Sequence, residues 1–105
     1  MIHELRDYVA ADGAAEKLHR RFADSTLDLF ERHGLELAGF WHDDADPGRI
    51  VYLLRFEDEE TRRQAWAGFQ ADEDWQRVKR ESEADGPVVS EMTSRVLVTP
   101  SYWPG

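Results

Sequence analysis

An α+β fold of order βαββαβ, with a four-stranded antiparallel sheet carrying its helices on one face, is predicted by three observations. Apolar residues recur at three- and four-residue spacing over residues 14–33, as on one side of a helix. Residues 50–56 (Ile-Val-Tyr-Leu-Leu-Arg-Phe) are rich in branched and aromatic side chains, as in a strand. Clusters of Asp, Gly and Pro at 12–13, 43–48 and 86–87 separate the periodic segments, because those residues favour turns.

In chain order, residues 2–9 read as the first strand, closed by Asp12-Gly13. The helix over 14–33 carries Ala15, Leu18, Phe22, Thr26, Leu29 and His33 on its inner stripe, with Glu16, Arg20, Asp24 and Asp28 towards water. Gly34 supplies the left-handed stop just past its end. Residues 35–42 form the second strand, 43–48 a turn and 50–56 the third strand. Asp58 caps a helix over 59–71, whose early acids suit the helix dipole. A further helical piece from Asp72 or Glu73 to about residue 84 carries Trp75 and Val78 inward, and Gly86-Pro87 ends it. Residues 88–100 are the last strand, followed by the tail 101–105. This is the split-βαβ, ferredoxin-like order, and two right-handed crossovers place the helices on one face.

At 105 residues there is room for a single domain, 1–105. No apolar run approaches the roughly 20 residues of a membrane-spanning helix, and the first residues lack a secretion signal, so a cytoplasmic protein without a membrane partner is expected. The absence of cysteine excludes disulfides, thiolate metal sites and cysteine nucleophiles. With 22 acidic against 13 basic residues, a net charge of −9 repels a phosphate backbone, and nucleic acid is not an expected partner. Arginine predominates over lysine and asparagine is missing, a bias typical of a GC-rich bacterial genome.

The middle strands are apolar on both sides. In the third, Ile50, Tyr52, Leu54 and Phe56 oppose Val51 and Leu53; in the second, Leu35, Leu37 and Trp41 oppose Ala38 and Phe40. Helices cover only one face, and a wet second face would forfeit about 1.5–3 kcal/mol per large side chain. A second copy packed on that face, giving a homodimer, is expected; the alternative is a tail folded back over it.

Glu4-Leu5-Arg6-Asp7-Tyr8 resembles the Glu-Leu-Arg-x-Tyr start of the NIPSNAP domain family. Gly39-Phe40-Trp41, the apolar third strand, Arg62-Arg63 and Asp74-Trp75 are similar to its later landmarks, so the resemblance covers nearly the whole chain. It departs at Leu54, where that family often carries Trp, and near Ser94, where it often carries Asn. The resemblance implies a dimeric α+β barrel. Related barrels include quinone-forming monooxygenases, cyclases and haem-degrading enzymes. The monooxygenase and haem-degrading patterns commonly use Asn, which this chain lacks.

Candidate chemistry rests on few residues. Four histidines lack metal spacing, but His3 and His42, on different strands, are of a type that transfers protons near neutral pH. His33, beside Gly34, suits a helix C-terminus. The acidic turn lacks the calcium-loop pattern and reads as a solvated hairpin, so no metal site is expected. No Gly-rich phosphate loop or dinucleotide fingerprint occurs, and no cofactor is expected. Arg6, Arg55 and Arg95 interrupt strands, where a guanidinium needs a carboxylate such as Glu4 or Glu91, or an anionic or carbonyl-bearing ligand; Tyr8 and Tyr52 add donors. Trp41, Trp66, Phe69 and Trp75 are expected to face inward, either as core or as the lining of a pocket for a flat organic molecule.

Three functions follow. One is an enzyme without a bound cofactor, acting on a hydrophobic or aromatic metabolite by proton transfer, with His3, His42 and Arg55 catalytic and Arg6, Tyr8, Trp41, Trp66 and Trp75 binding the ligand. The others are a non-catalytic ligand-binding module and a structural dimerisation domain.

Overall fold

The computed structural model describes residues 1–104. The strands are β1 (Ile2–Ala10), β2 (Glu36–His42), β3 (Arg49–Phe56) and β4 (Val89–Val98), and the helices are α1 (Ala15–Arg21), α2 (Leu27–Arg32), α3 (Glu59–Ala71) and α4 (Glu73–Ser82). They form one antiparallel sheet of order β2-β3-β1-β4, the ferredoxin-like arrangement.

The first helical pattern is a single rod interrupted in the middle. A π turn over Phe22–Thr26 joins α1 to α2, and the amide of Leu27 donates to the carbonyl of Phe22, five residues back. This extra residue per turn brings Arg21, Phe22 and Thr26 all to the buried side, beside Leu18, Leu29 and Phe30. A strict 3.6-residue period does not provide for that wider stripe. Asp58 accepts from the amide of Thr61 at 2.8 Å, and Asp72 from that of Asp74 at 2.8 Å, so each carboxylate starts a helix.

Gly34 ends the rod at φ +76°, with nothing near the position a Cβ would take. The cost of a side chain there is therefore one of backbone conformation. Gly34→Ala is expected to lower stability by about 1–2 kcal/mol in urea unfolding, with an unchanged m-value.

β3 alternates as its sequence implies: Ile50, Tyr52, Leu54 and Phe56 are buried against the helices, while Val51 and Leu53 lie on the open face. β2 corrects the expected pattern. Its register with β3 shifts between Leu37 and Gly39, so Leu37 pairs with Leu54 and Phe40 with Tyr52, both on the helix side. The extra residue reverses the alternation, and Trp41, opposite Val51, is turned to the open face at 54% exposure rather than inward. Its ring lies over Gly39, where a Cβ would collide with the indole.

The open face carries His3, Leu5 and Val9 of β1, Val51 and Leu53 of β3, Trp41 of β2 and Leu97 of β4. β4 is exposed over most of its length, including Met92, Val96 and Val98 on its helix side. The tail stands at one end of the open face: Tyr102 and Trp103 join His3, Leu53 and Leu97 around a shallow hollow of about 400 Å³. Both tail aromatics remain mostly exposed, and they do not seal the sheet.

Candidate functional site

Alternation in β1 sends Glu4, Arg6 and Tyr8 to the helix side, a polar row in the middle of the sheet whose β3 neighbours there are Leu54, Tyr52 and Ile50. Glu4 is fully buried and accepts four hydrogen bonds: from Ser94 Oγ at 2.5 Å, Trp66 Nε1 at 2.7 Å, Arg62 Nη1 at 3.1 Å and Arg6 Nη1 at 3.2 Å. Burial pushes its pKa up, but Ser94, Trp66 and Arg62, with the Arg6 charge, outweigh it and hold the carboxyl below its ordinary value.

Arg6 also donates to the Tyr8 hydroxyl at 2.8 Å and the Tyr52 hydroxyl at 3.3 Å, and its guanidinium lies 4.3 Å from the centre of the Trp66 ring. Burial opposes its charge, yet the two tyrosine oxygens keep its pKa above the ordinary arginine value. The Tyr8 and Tyr52 oxygens are 2.9 Å apart. Burial, then the neighbouring Tyr8, raises the Tyr52 pKa well above normal, while Arg6 opposes that rise. With Tyr52 donating, the Tyr8 oxygen accepts two hydrogen bonds and its own proton is free for a ligand oxygen.

This row forms part of the wall of a cavity of about 450 Å³ between the helices and the β1–β4 side of the sheet. Arg6, Tyr8, Trp66 and Trp75 line it, as do Arg21, Phe22, Phe30 and Phe69. The aromatic surfaces pack edge to face and tilted: Phe30 on Trp66 at 5.7 Å and Phe69 on Trp75 at 4.6 Å. The size falls in the roughly 300–1,000 Å³ range of small-molecule sites, and aromatic walls stand beside charged and polar groups, Arg6, Arg21, Lys79 and Glu83 among them.

The other expected site residues lie elsewhere. His3, Trp41 and Arg55 are on the open face, where Arg55 donates to Glu36. His42, at the end of β2, packs edge-on to His19 at 5.6 Å, and His19 donates to the Pro47 carbonyl at 2.6 Å. His33 does more than end a helix: its Nε2 donates to Asp72 at 2.6 Å and ties α2 to α4. The Asp43 and Asp46 carboxylates accept backbone amides within their own turn, from Ala45 at 2.8 Å and Gly48 at 3.0 Å. Among the described residues no group of three or more His, Asp or Glu side chains is placed to hold a metal ion, and no helix is long and apolar enough to cross a membrane.

Arg21 and Glu83 are charged cavity residues that the sequence reading missed. For Arg21 the signal was present: it lies three residues after Leu18 and directly before Phe22, a charged residue on an apolar stripe.

The fold and cavity define a ferredoxin-like α+β protein with a ligand-sized space between helices and sheet. The chain belongs to the NIPSNAP family, whose model matches residues 3–104. An uncharacterised NIPSNAP-like domain protein from Burkholderia xenovorans is 25% identical, with a TM-score of 0.82 over 99% of this chain and 89% of that one. A NIPSNAP family protein of unknown function from Agrobacterium tumefaciens is 21% identical, with a TM-score of 0.82 over 99% of this chain and 92% of that one. An antibiotic biosynthesis monooxygenase shares the fold at a TM-score of 0.65 and 19% identity, over 95% of this chain and 99% of that one. No curated protein matches the chain.

Proposed function

We propose that the chain binds a flat hydrophobic or aromatic metabolite in the cavity between helices and sheet, and acts on it by proton transfer without a resident cofactor. The observation that carries this reading is the convergence of Arg6 and Tyr8, braced from behind by Tyr52, with Trp66 and Trp75 on one space. Tyr8 donates to a carbonyl oxygen of the ligand, and Arg6 balances the charge that develops there. Glu83, the carboxylate on the cavity wall, takes the proton from the adjacent carbon and returns it to another atom of the same molecule. Isomerisation or cyclisation of this kind consumes no second reactant.

Thermal shifts across a panel of aromatic metabolites should reveal the binder. Tyr8→Phe is then expected to lower its turnover about 100-fold while changing affinity by less than about threefold. Unchanged turnover would remove Tyr8 from the chemistry. A second reading, passive binding, is favoured by one fact: neither His3 nor His42 reaches the cavity. Its signature is tight binding with no conversion of the bound molecule.

We propose as well that a second copy of the chain covers the open sheet face, giving a homodimer. Support comes from Leu5, Val51, Leu53 and Leu97, aligned on that face beside an exposed Trp41, and from a tail that reaches only one end of the face.

A further inference from the structure

We propose that the cavity takes a flat organic monoanion whose carboxylate docks on Arg21, between the π turn and α4. This rests on the reading of the cavity as a ligand site and specifies the charge of the ligand.

Arg21 ends α1, so the π turn fixes its backbone and sends its side chain under α4. The residue is only 9% exposed. Its Nη1 donates to Ser82 Oγ at 3.1 Å, its guanidinium lies 5.3 Å from the centre of the Trp75 ring, and its buried Nε has no acceptor. A guanidinium offers five N–H donors, and a buried cation without a carboxylate is costly. Among the described residues no carboxylate lies within 4.0 Å of it, although Glu83 shares the cavity wall.

Arg6, the other guanidinium on this wall, differs because Glu4 and two tyrosines already engage it. Lys79 on the rim stands 4.0 Å from Glu83. Arg21 is thus the cavity cation left with unused donors. Burial lowers its pKa, opposed by Glu83 and the two tyrosines, but an arginine does not shed its proton and the strain persists until an anion arrives. A carboxylate matches the planar fork of one guanidinium, whereas a phosphate dianion calls for more than the single guanidinium left with unused donors here. The ring of the ligand then lies against Trp75 and Trp66.

Three probes of one shape test this by titration calorimetry: 1-naphthoate, 1-naphthalenemethanol and 1-naphthylmethylammonium. Naphthoate is expected to bind about tenfold more tightly than the alcohol, with the ammonium weakest. Arg21→Met is expected to erase that preference, to keep alcohol affinity within about threefold, and to raise the urea midpoint, since an unsatisfied buried donor is gone. Should Arg21→Met not fold, Arg21→Lys retains the charge without the fork and is expected to cut the preference about threefold. Equal affinity for naphthoate and alcohol, or a preference that survives these substitutions, overturns the anion site and leaves the cavity as a binder. If all three probes fail to bind at millimolar concentration, the cavity is not a ligand site and the proposed function falls with it.

Discussion

Replacing Glu4 by leucine is expected to destabilise the protein by about 3–5 kcal/mol, because removing one partner of a buried ion pair strands the charges that faced it. Arg6 and Arg62 lose their shared carboxylate, and the Trp66 indole and Ser94 hydroxyl lose an acceptor. The cavity is disturbed as well, since Arg6 and Trp66 form part of its wall. Urea unfolding at neutral pH provides the measurement; a change below about 1 kcal/mol would show that the network contributes little net stability.

The pH dependence has a definite sign. The folded pKa of Glu4 is depressed below its ordinary 4.5, so its contribution is fully present above that pH and is lost as pH falls through the folded value. Asp72 titrates in the same sense, held well below the usual carboxylate range chiefly by the hydrogen bond from His33 and also by Arg32. The stability gap between the parent protein and Glu4→Leu is therefore expected to narrow in acid, and it should be constant from pH 5 to 8.

Leu53→Asp is expected to convert a dimer into a folded monomer. The side chain lies mid-sheet on the open face, next to Leu5 in the register, so the substitution leaves the opposite, helix-covered core untouched. In a twofold interface it places two carboxylates among apolar side chains, each without a partner. Sedimentation should show twice the chain mass for the parent and once for the variant, with a dimer dissociation constant raised at least about 100-fold. A parent protein that sediments as a monomer at micromolar concentration would disprove the assembly.

The order of elements was legible because each depends on local chemistry. Gly34, Asp58 and the alternation of β3 act within a few residues, and all three do what their sequence implies. Trp41 was misread because one extra residue in β2 reverses alternation, and a bulge depends on the facing strand rather than on local pattern. Half of the candidate site was visible in the same way. Arg6 and Tyr8 share a face because they are two apart in β1, and Trp66 and Trp75 sit on helices above them. His3 and Arg55, directly paired in the register, went to the other face together, and only the burial of their neighbours shows which face holds the cavity. Arg21 showed as a charged residue beside the apolar stripe, but its burial comes with the π turn, which no residue in the segment announces.

The bulge in β2 also sorts the tryptophans by surroundings. Trp41 and Trp103 sit on the open sheet face, whereas Trp66 and Trp75 border the cavity. Intrinsic emission from one chain thus carries two separable signals. An aqueous quencher such as iodide is expected to reach the first pair and to lose access if a second copy covers that face, while a molecule in the cavity is expected to alter the second pair. Single Trp→Phe replacements would turn the protein into its own gauge of self-association and of loading, with no attached dye.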